Sequence, residues 1–352
     1  MKKFFSQKRN LHGVIAVLMT VLILGFVFFI LDEVREGDLK GWFQRQSSGT
    51  EAASVLKIGF TNDWEYGPRK RLKHKLTGQG ITELQKAVDF FNTEYKPDLV
   101  IGGGDYIESS AIKKENAKRQ LTEINEVFKK VQAPRLYALG NHDLRSLTKA
   151  EVREILEMPE NHSFKDMGDW RIVVLDTNFN KEDESDRSEK NYVTGYVSKA
   201  ELEWLRSVLD TDRPVMIFSH HSPISPPRVD GLTWIINITN DVAVRDVLEE
   251  RGNVVAVISG HNPQSYYEER NGIHYVVVDT LVNESALGSF ATITLEYLKS
   301  KKYAEVTLNQ KGAEPQQYSF DWHFGEKEED LLPEVKSASP EESEKQMIEE
   351  EE

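Results

Sequence analysis

Four short apolar runs, residues 97–102, 134–139, 214–218 and 253–258, constrain this chain more than any other feature. Each is rich in Val, Ile or Leu and is bounded by Pro or Gly within a few residues. At that length and composition they read as buried strands, not helices. Just after each run the chain turns polar and chemically pointed: Gly104-Asp105, Gly140-Asn141-His142-Asp143, Ser219-His220-His221 and Gly260-His261. Residue types that ligate metals therefore stand where strands end, and that rim is where open α/β sheets bind their ligands.

Helical periodicity occupies residues 82–95, 114–130, 148–156, 198–209 and 241–251, and a first strand is expected at 57–61. Beyond His261 the pattern changes to strands alone, at 273–279, 290–297 and 303–308. Alternating strands and helices followed by a run of strands predict an α/β domain over residues 55–325. Its expected form is a four-layer αββα sandwich, two mixed β-sheets flanked by helices.

The 352 residues include no cysteine, which excludes thiolate metal sites and leaves oxygen and imidazole nitrogen as ligands. Such donors suit Mn, Mg, Fe or Zn, at one or two divalent ions per chain. The formal net charge of -14 is unevenly placed: residues 326–352 hold twelve acids and three lysines, so the rest of the chain is only mildly acidic. No nucleic-acid-binding surface is evident in that pattern. The tail lacks aromatics and contains Pro333 and Pro340, the composition of a disordered arm, and it is open to a protein partner.

At the other end, residues 13–31 carry no charge, and as a helix they would extend about 28 Å, enough to cross a bilayer. Lys2, Lys3, Lys8 and Arg9 precede the segment, whereas Asp32, Glu33, Glu36 and Asp38 come after it. The positive-inside rule thus predicts a single-pass protein with residues 1–12 in the cytoplasm, an anchor at 13–31, a linker at 32–54 and the folded body outside the cytoplasm. The run is longer than a signal-peptide core and ends in Phe28-Phe29-Ile30-Leu31, with no small-residue cleavage site.

The order Asp63-x-Glu65, Gly104-Asp105, Gly140-Asn141-His142-Asp143, His220, Gly260-His261 resembles the calcineurin-like metallophosphoesterase superfamily, which includes purple acid phosphatases and class III cyclic nucleotide phosphodiesterases. The resemblance spans residues 57–308. It implies a metal-dependent phosphoric ester hydrolase acting on a phosphomonoester or phosphodiester, in which two ions clamp the phosphate and acidify a water. It also implies roles: Asp105 bridges the two ions, Asp63 serves the first, and Asn141, His220 and His261 hold the second. His142 then protonates the leaving group, and Asp143 orients it.

Two departures from the family pattern fall on one ion. The family's Asp-x-His is here Asp63-Trp64-Glu65, and its Gly-His-x-His is here Gly260-His261-Asn262-Pro263, so both missing histidines belong to the first ion. Glu65 and Glu108 are expected to replace them, making with Asp63 and Asp105 an all-oxygen site suited to hard ions. A catalytically impaired, ligand-binding relative is the alternative reading. His221 can exchange with His220 as ligand; otherwise it faces substrate, as do Trp64 and Arg69, the last within a basic cluster with Lys70, Arg71, Lys73 and Lys75.

Overall fold

The computed structural model describes residues 52–225 and 237–324. The expected cytoplasmic terminus, membrane anchor and acidic tail lie outside those residues. The expected linker lies outside them up to residue 51, and its end at Ser54 is already the first residue of strand β1. Among the described residues no helix is long and apolar enough to cross a membrane.

The described residues form twelve strands in two six-stranded mixed sheets. The first holds, in spatial order, β12 (Gln316–His323), β11 (Tyr303–Lys311), β10 (Phe290–Leu298), β1 (Ser54–Thr61), β2 (Leu99–Gly102) and β3 (Arg135–Tyr137). The second runs β4 (Ser163–Met167), β5 (Trp170–Leu175), β6 (Val215–Ser219), β7 (Val254–Ser259), β9 (Ile273–Val277) and β8 (Tyr266–Arg270). Strands β1, β2 and β3 pair in parallel, as do β5, β6, β7 and β9, while β10 to β12, β4 and β8 complete the sheets antiparallel. Register is tight at the centre: Ile58 pairs with Leu99, and Ser219 with Ser259.

Three apolar clusters define the layers. One lies between the sheets and joins Ile58, Ile101 and Ile293 of the first to Ile172, Phe218 and Ile258 of the second. A second packs α1 (Gly80–Phe90), α2 (Lys114–Phe128) and α3 (Lys149–Leu156) beside Val100 and Tyr137 of the first sheet. The third packs α4 (Lys199–Leu209) and α5 (Asp241–Glu249) over Val173, Ile217 and Val257. Alternate residues of one strand thus enter different layers, as the period of two requires.

Helix ends follow local chemistry. Thr148 caps α3 with its side chain on the Glu151 amide, while Glu151 reaches back to the Thr148 amide, a reciprocal capping box. Ser198 caps α4 on the Glu201 amide. The helix expected to run to residue 95 instead ends at Phe90, continues as one wider π turn over Phe91–Tyr95, and stops at Lys96 in the left-handed conformation before Pro97.

Candidate metal centre

The parallel strands of both sheets deliver their C-terminal ends to one place. Asp63 follows β1, Asp105 follows β2, Asn141 and His142 follow β3, His220 follows β6 and His261 follows β7. All six are buried. Asp63, Glu65, Asp105 and His261 adopt left-handed backbone angles, with φ of 50°, 37°, 52° and 66°. Side chains rarely tolerate this region, so its concentration here marks strain held for function. The loops also cross at very short range. A Cβ on Gly140 would lie 2.0 Å from the Asp105 amide nitrogen, and one on Gly104, at φ 91°, would meet the Gly140 nitrogen at 2.7 Å.

Around His220 the side chains converge as ligands do. Its Nδ1 donates to the Gly103 carbonyl at 2.8 Å, which turns Nε2 toward Asn141 Oδ1 (3.1 Å), His261 Nδ1 (3.0 Å) and Asp105 Oδ2 (3.4 Å). Asn141 is fixed from behind by donating to the Tyr192 carbonyl at 2.9 Å. Asp105 Oδ2, Asp63 Oδ1 and His261 Nε2 are buried with no hydrogen-bond partner. Unpartnered acceptors crowded in a dry site are what a cation would satisfy. Electrostatics say the same: burial pushes Asp63 up to about 7 against the pull of His220, and His220, although burial opposes its charge, rises to about 9 because Asp105, Asp63 and the Gly103 carbonyl together favour the charged ring. Asp105, Asn141, His220 and His261 therefore fit a divalent ion.

The opposite side of Asp105 is built differently. Glu65, Asp105 and His142 offer atoms within 4.8 Å of one another, but the Glu65 carboxylate is ion-paired with the ammonium of Lys75, whose side chain is only 15% exposed. Burial disfavours the Lys75 charge, yet Glu65, Asp63 and Asp105 together raise its pKa. Arg69, Lys70, Arg71 and Lys73 of the same basic cluster are exposed, so Lys75 is the member that turns inward. Of the all-oxygen first site expected from the sequence, Asp63, Glu65 and Asp105 gather here, but Glu65 is paired with Lys75 and Glu108 turns to His142.

Glu108 Oε2 lies 2.7 Å from His142 Nδ1, and its Oε1 accepts from the Ser110 amide (2.9 Å) and from Arg145 Nη1 (3.2 Å), so both oxygens are taken. Burial notwithstanding, the His142 hydrogen bond holds this carboxyl far below its ordinary range. Glu108 thus orients His142, the role expected of Asp143. Asp143 instead accepts from the backbone amides of Asp105, Tyr106, Ile107 and Gly140 at 2.8 to 3.2 Å and knits two ligand loops together. With Nδ1 engaged, His142 Nε2 faces the cluster, 3.8 Å from Asp105 Oδ2, and His142 keeps slight exposure.

The residues expected to face substrate sit elsewhere. Trp64 is fully buried, packed at 4.4 Å on Tyr106 and 4.8 Å on Phe128, with its indole N–H on Thr61 Oγ1, so it is core. His221 is also buried and has both ring nitrogens occupied, Nδ1 by Thr177 Oγ1 at 2.7 Å and Nε2 by the Val193 carbonyl at 3.0 Å. It ties the loop after β5 to the site, and it stands close enough to His220 and His261 for the three to form a further candidate cation group. Arg69 is exposed, and its carbonyl holds Thr77 Oγ1 at 2.5 Å. Sequence reasoning missed the inward turn of Lys75, although a buried acid at position 65 requires a basic partner. It also missed Arg145 and Tyr192, which no motif signals.

Comparison with known proteins agrees with this geometry. The family model for calcineurin-like phosphoesterases matches residues 56–265. A manganese-dependent ADP-ribose/CDP-alcohol diphosphatase from Arabidopsis thaliana is 23% identical over 235 residues, covering 55% of this chain and 74% of that protein. A probable cyclic nucleotide phosphodiesterase from Rhodococcus erythropolis is 27% identical over 172 residues, 47% of this chain and 51% of its own length. In three dimensions, a dimetal phosphatase from Danio rerio shares the fold with a TM-score of 0.61 and 17% identity, over 77% of this chain and 99% of that one. With its five motifs gathered at one rim of two mixed sheets, the chain belongs to the calcineurin-like phosphoesterase family.

Proposed function

We propose that the chain is a hydrolase of phosphodiesters or of diphosphates that join two organic groups, using a divalent ion held by Asp105, Asn141, His220 and His261. The observation that carries this reading is the convergence of His220 Nε2, Asn141 Oδ1, His261 Nδ1 and Asp105 Oδ2 beside an imidazole that is not a ligand. When bound, the ion supplies positive charge to a phosphate oxygen and acidity to a water. Manganese is the favoured ion, since oxygen and imidazole donors accept it and similar proteins are named for dependence on it.

The chain's own residues supply the rest. His142 offers a proton from Nε2 to the departing oxygen, and the ring is held from behind at Nδ1 by Glu108 Oε2 at 2.7 Å and Arg145 Nη1 at 3.0 Å. Arg145 holds Glu108 in place, and Asp143 keeps the Asp105 and Gly140 loops in register. Buried Asp63 adds a carboxylate beside Asp105, while its Oδ2 secures the His261 backbone at 2.8 Å. Turnover of bis-p-nitrophenyl phosphate, p-nitrophenyl phosphate and ADP-ribose with Mn, Mg, Fe or Zn tests the reading. No turnover by a folded protein whose His142→Ala variant behaves identically would overturn it.

The loss of histidines at Glu65 and Pro263 favours a second reading, a phosphate-binding relative without catalysis. Saturable binding of a phosphoester that survives without any hydrolysis distinguishes it. In either reading we place the body outside the cytoplasm on an anchor at residues 13–31, with the acidic tail free to meet a protein partner. The absence of cysteine makes this testable, because a single Ser47→Cys introduces a unique thiol. Labelling of intact cells by an impermeant maleimide is expected; labelling only after lysis would refute the orientation.

A further inference from the structure

The two replaced motif positions and Lys75 meet in one small region. Glu65 stands where the family has a histidine, and its carboxylate is paired with the Lys75 ammonium. Pro263 stands where the family has another, and its carbonyl accepts from Asn283 Nδ2 at 2.9 Å. Asn283 in turn bridges to Lys75, backbone to backbone. Both departures therefore touch the strap that delivers one lysine.

That strap is held on both sides, so Lys75 is not a side chain caught in passing. The Lys75 amide and carbonyl exchange hydrogen bonds with Leu72 at 3.0 and 2.8 Å, closing a tight turn. The Leu76 amide donates to the Val282 carbonyl at 2.8 Å, and the Glu284 amide to the His74 carbonyl at 2.9 Å. Asn283 is further tied to Asp279 Oδ1 at 3.0 Å, and bidentate pairing of Arg71 with Glu284 joins the strap's outer edges. The ammonium that results is buried against Glu65 and electrostatically coupled to Asp63 and Asp105, three carboxylates that two divalent ions would otherwise have to neutralise.

We propose that Lys75 is a tethered cation that takes the place of the first ion, so that this centre binds one divalent ion per chain. The proposal rests on the metal-dependent reading above and deepens it. A first ion does not fit the residues present. Glu108 is committed to His142, Glu65 to Lys75, and Pro263 has no donor side chain. What remains, Asp63 and Asp105, is a carboxylate pair beside the Glu65–Lys75 ion pair. A fixed ammonium cannot acidify a water as a second ion would, but it balances charge without being lost to chelation or dilution.

The test uses the full chain in detergent with Mn alone as probe, read by equilibrium dialysis with elemental analysis and by electron paramagnetic resonance. Wild type is expected to bind about one Mn per chain and to show the signal of an isolated ion, because two ions roughly 3.5–4 Å apart would couple magnetically. Lys75→Met frees the carboxylates and is expected to bring the stoichiometry to about two with a coupled signal, whereas Lys75→Arg keeps a cation and stays near one. Two coupled ions in wild type would overturn the proposal while leaving the phosphoesterase reading intact. No tight Mn in wild type would overturn both. Should Lys75→Met fail to fold, the wild-type measurement decides alone.

Discussion

The two halves of the centre, one on each side of Asp105, are made by different means. On the side of Asn141, His220 and His261, an amide oxygen and two imidazoles converge on a point, two of them fixed from behind by backbone: His220 by Gly103 and Asn141 by Tyr192. On the side of Asp63 and Glu65, carboxylates gather and a lysine of the same chain comes to meet them. The first half is short of a cation and arranged to take one from solution; the second carries its own. Ligand chemistry, not burial, separates them, because both halves are dry.

The comparison breaks most sharply at the residue the halves share. Asp105→Ala is expected to bring Mn binding in equilibrium dialysis and phosphodiester turnover to background, and retained binding would mean that the histidine side is sufficient alone. His142→Gln is expected to leave Mn binding unchanged while lowering kcat by roughly 10²–10⁴-fold, the range for losing a general acid. Stopped-assay kinetics beside dialysis check this, and a parallel loss of metal would show His142 to be a ligand.

Lys75→Ala tests the self-supplied half by stability. Removing the partner of a buried carboxylate costs about 3–5 kcal/mol, and Mn is expected to recover more of the thermal midpoint in this variant than in wild type. Equal Mn-induced shifts would indicate that the ion never enters the space Lys75 fills. Glu108→Gln preserves shape but removes the charge behind His142. Roughly a tenfold to hundredfold fall in kcat is expected with KM little changed, a split that damage to substrate binding would not give.

The smallest effect lies away from both halves and serves as a control. His162 stacks at 3.8 Å on Trp204 with Nδ1 2.6 Å from Glu201, which raises its pKa although burial opposes the charge. A raised folded pKa means that the stabilisation is complete below the unfolded value of about 6.5 and fades as pH climbs through the folded value. Thermal melts should show a shallow loss over that window, absent in His162→Gln, with Mn stoichiometry the same in both. A change in stoichiometry would couple the second sheet's helices to the centre in a way the contacts do not suggest.

Most of the parallel strands were legible because they are buried and read as short apolar runs that end in motif residues. The antiparallel strands were less so. β4, β8 and β12 carry Lys165 and Asp166, Glu268 to Arg270, and Gln316 with Gln317; they lie at sheet edges, where half the residues meet water and no apolar run survives. β5 is different. Its Ile172-Val173-Val174-Leu175 is as apolar as any strand here, yet no ligand comes after it, and nothing marks it beside runs that end in motifs. At the site, motif order located Asp105, Asn141, His142, His220 and His261 but could not assign the carboxylates. Whether Glu108 turns to a metal or to His142 depends on Arg145 and Ser110, neighbours that only the folded chain brings together. Trp64 was misjudged for a related reason: the left-handed turns at Asp63 and Glu65 on either side of it send its ring into the core against Tyr106 and Phe128, which the sequence does not reveal.

The left-handed turn at Glu65 carries a consequence for how such centres change. Histidine is among the side chains that enter this backbone region most readily after glycine, whereas branched residues are nearly barred from it. The loop that now presents a carboxylate to Lys75 is therefore already shaped to present an imidazole, and no main-chain rearrangement separates the two states. Moving between a centre that supplies part of its own charge and one that imports all of it is a matter of swapping tips on a fixed frame.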